Sequence, residues 1–119
     1  MKFHRVLLFT RIQMEITPVG EDLHVLLTSE QTPGLMCTAF SRFIEGSDPA
    51  ECETTIMTAE EDPVPYLCIY TAENLCRISG KDVLCTGGIC VPDLDDHRMS
   101  KLLENVDEMI HDWQTFLTD

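Results

Sequence analysis

The sequence predicts an α+β fold: a mainly antiparallel sheet of five to six strands with two helices packed on it, the second a long C-terminal amphipathic helix. Three observations predict it. Ile12, Met14 and Ile16 alternate strictly with polar residues, and Leu23, Val25 and Leu27 repeat the period a few residues later. Met99, Leu102, Leu103, Val106, Met109, Ile110, Trp113, Phe116 and Leu117 fall on one helical stripe. Strand patterns come first and helical patterns late, which opposes a doubly wound parallel sheet.

In chain order, Met1 to Thr10 holds the short apolar run Val6-Leu7-Leu8-Phe9 and is read as a strand or an ordered arm. The strand from Ile12 is expected to end at Pro18. Val19-Gly20-Glu21-Asp22 is turn chemistry, so the first two alternating segments form a hairpin. Leu26 lies on the other face of the second strand and implies partial cover there. Leu35 to Phe40 has apolar residues on both faces and reads as a central strand; Cys52 to Thr58, rich in β-branched residues, reads as an edge or penultimate one. Glu60-Glu61-Asp62-Pro63 suits the approach to a helix, which Leu67, Thr71, Leu75 and Ile78 carry at helical spacing until Gly80 caps it. Asp82 to Val91 is a buried strand in which Gly87 and Gly88 mark a bulge or a close backbone approach. No internal repeat or linker interrupts the pattern, so residues 1–119 are expected to form a single domain.

The 8 Lys and Arg against 21 Asp and Glu give a formal charge of −13, which repels phosphate backbones and anionic headgroups. Nucleic acid and membrane surfaces are therefore not expected partners. No window reaches the ~20 consecutive apolar residues that a membrane-spanning helix needs, and a soluble protein is expected. Six cysteines admit a disulfide framework, but Cys37, Cys68, Cys76 and Cys85 sit in apolar patterns where a thiol behaves as a small core hydrophobe. With no signal-peptide pattern, the expectation is free thiols in a reducing cytoplasm.

No catalytic constellation stands out. His4, His24, His97 and His111 lack metal-ligand spacing, and no metal site is assigned. Cys85 and Cys90 are an odd separation apart, which puts them on opposite faces of a regular strand. Thr86-Gly87-Gly88 lacks the lysine of a phosphate-binding loop. Glu60-Glu61-Asp62 and Asp95-Asp96 lie at expected helix starts, where capping accounts for them. The reading is of a non-catalytic accessory or assembly protein. The alternatives are a small-ligand-binding protein, a thiol-based metal or redox protein in which Cys85 and Cys90 meet, and an enzyme of unrecognised type.

Three stretches carry a family resemblance: Val19 to Thr28, Thr32 to Ala39, and Val83 to Asp93 before the closing helix. They resemble the small D-subunit family of bacterial hydroxyarylic-acid decarboxylases, LpdD-like prenylated-flavin chaperones related in fold to proteasome assembly chaperones. The resemblance runs from about Arg11 to Trp113. It implies an accessory subunit that helps a UbiD-type decarboxylase acquire or keep prenylated FMN, and so a protein partner, either a second copy in a homodimer or a decarboxylase subunit. The family tends to carry Pro-His-Ile-Gly where this chain has Pro33-Gly34-Leu35-Met36, and Gly-Ile-His where it has Gly88-Ile89-Cys90. Its Gly-His-acidic turn is also absent around Glu60-Glu61-Asp62. Any contact those histidines make is lost or replaced here. The expected cofactor-binding residues are Pro33, Gly34, Gly87, Gly88 and Asp93, on two segments expected to meet at one sheet edge and offer backbone amides.

Overall fold

The computed structural model describes residues 1–30, 35–58, 64–89, 91 and 93–118. Six strands and two helices follow in the order β1 (Lys2–Val6), β2 (Arg11–Val19), β3 (Asp22–Ser29), β4 (Cys37–Phe43), β5 (Cys52–Thr58), α1 (Val64–Ser79), β6 (Val83–Gly88) and α2 (Asp96–Thr118). They form one sheet in the order β1-β2-β3-β6-β4-β5. Among the described residues only β3 and β6 pair in parallel; the other neighbours are antiparallel. The α+β class with a mostly antiparallel sheet is therefore as the sequence predicts.

The β2–β3 hairpin turns through Gly20, whose φ of 62° suits the first central position of a two-residue connection. Pro18 does not end β2, which runs to Val19. The Ile16 N–H donates to the Met1 carbonyl at 2.8 Å, so even-numbered residues of β2 point their backbone groups toward β1. Pro18 shares that parity but lies beyond the paired part of β1 (Lys2–Val6), where its missing N–H removes no ladder bond.

Both helices cover one face of the sheet. Ile12, Met14, Ile16, Leu23, Val25, Leu27, Ala39, Val83 and Cys85 are buried beneath Leu67, Cys68, Ala72, Leu75, Leu102, Val106 and Met109. At about 25 cal/mol per Å² of apolar surface removed from water, this layer is the main favourable contribution to folding. The helical stripes are shorter than the sequence suggests. Ile78 is 43% exposed, and Phe116 and Leu117, in the last turn of α2, are 60% and 59% exposed. At the end of α1, Gly80 (φ 68°) donates its N–H to the Cys76 carbonyl at 2.9 Å, as the expected cap.

β4 begins at Cys37 and continues to Phe43, one position in from the edge rather than at the centre, and β5 is the edge strand. β6, last in sequence among the strands, occupies the interior place between β3 and β4. Since β4 is antiparallel to both β5 and β6, those two run the same way, and α1 is the crossover that a parallel return requires. Asp82 fixes the entry to β6. Its Oδ1 accepts the Phe43 N–H at 2.9 Å, while its own N–H donates to Asp22 Oδ1 at 3.1 Å.

The glycines of β6 mark a close approach rather than a bulge. The β6 register runs without a break from Val83 to Gly87 against β4 and on to Gly88 against β3. Gly87 has φ 104°, and a Cβ there would stand 2.2 Å from the Leu27 carbonyl oxygen. That is a backbone contact, so no rotamer change relieves it. Gly87→Ala is expected to cost roughly 2–4 kcal/mol. Gly20→Ala, where a Cβ meets nothing within 4 Å, is expected to cost only the left-handed backbone penalty of about 1–2 kcal/mol. Urea denaturation of the two variants measures the difference.

Candidate functional site

The parallel relation of β3, β5 and β6 brings their C-terminal ends to the same end of the sheet as the start of β4. In open parallel α/β sheets ligands bind outside such carboxyl ends; this sheet is mostly antiparallel, with β3 and β6 its one parallel pair among the described residues. Here the Met36 N–H donates to the Gly87 carbonyl at 2.9 Å, joining the segment before β4 to the end of β6. The junction lies at strand ends in the interior of the sheet, not at a lateral edge. Beside it an open groove of about 260 Å³ is lined by Leu35, Met36, Cys37, Thr38, Met57 and Thr58. Leu35 and Met57 are 79% and 75% exposed, so the rim is apolar and open to solvent.

Of the expected cofactor-binding residues, Gly87 and Gly88 are buried at the end of β6, and Asp93 is exposed ahead of α2 with φ 54°. Pro33 and Gly34 lie outside the described residues, as do Cys90 and the acidic run Glu60-Glu61-Asp62. The groove residues Met36, Thr38 and Met57 carry no signal of their own in the sequence. Each sits in an ordinary strand pattern, and only the antiparallel pairing of Thr38 with Met57 brings them together. Asp95 acts as expected of a cap: its Oδ1 accepts the Arg98 N–H at 2.8 Å.

Beneath the groove lies a set of thiols that no spacing in the sequence announces. Cys37 on β4, Cys68 on α1 and Cys85 on β6 are buried, and Cys68 hydrogen-bonds with both of the others. The bond to Cys68 and burial push the Cys37 thiol far above its ordinary range. In Cys68 the bond with Cys37 lowers the value, but the bond with Cys85 and burial outweigh it. Burial also pushes Cys76 up to about 12, with the neighbouring Cys52 and Asp82 adding to the shift. The five described cysteines are all free thiols. Among the described residues no group of three or more His, Cys, Asp or Glu side chains is arranged to hold a metal ion.

The histidines are spread over the surface. His4, His97 and His111 are exposed, and half-buried His24 pairs its Nε2 with Thr86 Oγ1 at 3.0 Å on the face of the sheet away from the helices. Tyr70 on α1 donates its hydroxyl to Asp107 Oδ1 on α2 at 2.6 Å. That bond and partial burial push the phenol up to about 12.

With strands, groove and thiols so placed, the sequence pattern of the prenylated-flavin chaperone LpdD-like domain matches residues 9–118. The chain belongs to that family. The match includes every strand from β2 to β6 and both helices, and so the groove, the β6 glycines and the thiols beneath them. Membership supports a non-catalytic chaperone role for UbiD-type decarboxylases. No curated protein matches the chain. No helix among the described residues is long and apolar enough to cross a membrane.

The thiol shifts carry a sign. A thiol whose value is raised on folding holds its proton more tightly in the native state than in the unfolded chain. Its contribution is complete below the ordinary value of 9.0 and is lost as pH rises through about 12, the value for Cys76. The urea midpoint is therefore expected to hold from about pH 7 to the ordinary thiol value and to fall steadily above it. In a Cys90→Ser background at mildly alkaline pH, iodoacetamide is expected to label half-exposed Cys52 first and the buried Cys37, Cys68, Cys76 and Cys85 only after unfolding.

Proposed function

We propose that this protein holds prenylated FMN against the groove at the β4 and β6 ends and delivers it to a UbiD-type decarboxylase. The observation that carries the reading is the family match over residues 9–118. The geometry supports it in one respect and limits it in another. An apolar, open groove suits the ring portion of a flavin, which needs a dry surface and ready release. At about 260 Å³ it is smaller than the roughly 300–1,000 Å³ of an enclosing ligand pocket, and its described lining contains no Lys or Arg for the phosphate.

The expected site residues Pro33, Gly34, Gly87, Gly88 and Asp93 belong to this proposal; of these, Gly87 is joined to the groove through the hydrogen bond from Met36. Gly87 acts by holding the strands close, since its carbonyl is engaged by Met36. Asp93 adds an exposed acid near the start of α2. The flavin would supply its own redox and covalent chemistry to the partner enzyme. This chain's residues would bind it, orient it and exclude water from one face.

The partner in this reading is a decarboxylase subunit, met in the reducing cytoplasm. The five free thiols support that compartment. A thiol-based function has less support, because Cys85 is buried against Cys68 and the thiols that shift are held protonated.

Fluorescence titration tests the proposal. Prenylated FMN is expected to bind more tightly than FMN. Leu35→Asp, at an exposed position on the groove, is expected to weaken binding about tenfold by removing apolar contact and adding a charge that repels the phosphate. Equal affinity for the two flavins, or an unchanged affinity in the variant, contradicts the assignment of the groove.

A further inference from the structure

At the far side of the sheet from the groove, the turn between β1 and β2 and the first half of α2 enclose a cavity of about 400 Å³. It is larger than the groove and falls within the size range of small-molecule sites. Four strand spacings of about 4.8 Å set β1 roughly 19 Å from β4 across the sheet. The cavity and the groove are therefore separate sites.

The turn forms one wall. The Leu7 N–H donates to the Thr10 carbonyl at 2.8 Å, and the chain reverses at Leu8 and Phe9. Leu7 and Phe9 pack on the core, which leaves Leu8 fully exposed and Val6 69% exposed. The Arg98 guanidinium lies 4.9 Å from the centre of the Phe9 ring and covers one of its faces. His97, Lys101 and Asn105 form the facing wall. They recur every four residues along α2 and so share one side of the helix.

The charge of this cavity opposes that of the chain. Its described lining holds no Asp or Glu, in a protein with 21 of them and a formal charge of −13. Lys101 meets Glu104 at 3.5 Å, but both side chains are exposed, and such a pair is weak enough for the ammonium to turn to a ligand. Asn105 donates its Nδ2 to the Lys101 carbonyl at 2.7 Å, which fixes that amide on the wall. Of the acids ahead of the helix, Asp95 is engaged by the Arg98 N–H. An apolar wall opposite one full cation suits a molecule with an apolar body and a single negative charge. A phosphate monoester carries close to two charges at neutral pH, which one lysine matches less well than a carboxylate. With Arg98 on the Phe9 ring, the rest of the apolar wall is aliphatic, which favours a chain over a ring.

We propose that this cavity binds a medium-chain aliphatic carboxylate, with the carboxylate at Lys101 and His97 and the chain against Val6, Leu7 and Leu8. The bound chain covers apolar side chains that the fold itself leaves in water. The site does not depend on the flavin reading.

Isothermal titration of the full chain with octanoate, octanol and octylammonium at low ionic strength tests the assignment. Octanoate is expected to bind at one site per chain and about tenfold more tightly than octanol, and octylammonium is expected not to bind. Lys101→Gln is expected to reduce octanoate to the affinity of octanol while leaving octanol unchanged. Leu8→Ser is expected to weaken both about tenfold by removing apolar contact. Both positions are exposed, and circular dichroism establishes that the variants are folded. Leu35→Asp, on the groove, is expected to leave octanoate binding unchanged, which separates this cavity from the flavin site. Equal affinity for the three probes, no saturable binding of octanoate, or an unchanged octanoate affinity in Lys101→Gln overturns the proposal.

Discussion

The sheet is continuous only because β6 occupies the place between β3 and β4. Without it the strands divide into a β1-β2-β3 unit and a β4-β5 hairpin. Two local features hold it there. Asp82 clamps its start by accepting from Phe43 and donating to Asp22. Gly87 lets its end lie so close to the Leu27 carbonyl that a side chain has no room. Val83 and Cys85 are fully buried between these points, so the central strand gains apolar burial in addition to ladders on both sides.

This placement also determines where a ligand can approach. Because β6 returns parallel to β3, the chain runs from its end into the segment before α2, while β4 starts alongside. The Met36–Gly87 hydrogen bond closes that junction, and the groove forms next to it. The same crossing of β4, α1 and β6 packs three thiols together below the surface. They fill space as small, protonated, apolar groups.

Much of the fold is legible in the sequence because its signals are periodic. Alternation discloses the β2–β3 hairpin, and helical spacing discloses both helices. The position of β6 is not legible, because alternation fixes which face a residue occupies but not which strands are neighbours. Pro18 misleads as a general strand breaker, since its nitrogen points to an unpaired stretch. Phe116 and Leu117 continue the helical stripe in the sequence but stay exposed in the last turn of α2. At the site, the two glycines are visible in the sequence, whereas Thr38, Met57 and the thiol cluster depend on pairings between distant segments. The family resemblance rests on the stretches around β3, the start of β4 and β6, and the match extends it over almost the whole chain.

The proposed function is delivery of prenylated FMN to a partner enzyme. Its most direct measurement is the rate at which an apo UbiD-type decarboxylase gains activity when supplied with prenylated FMN at equal concentration, either free or loaded on this protein. Faster or more complete activation by the loaded protein, with no decarboxylation by the loaded protein alone, is the expected result. Activation no better than that by free flavin would contradict the account.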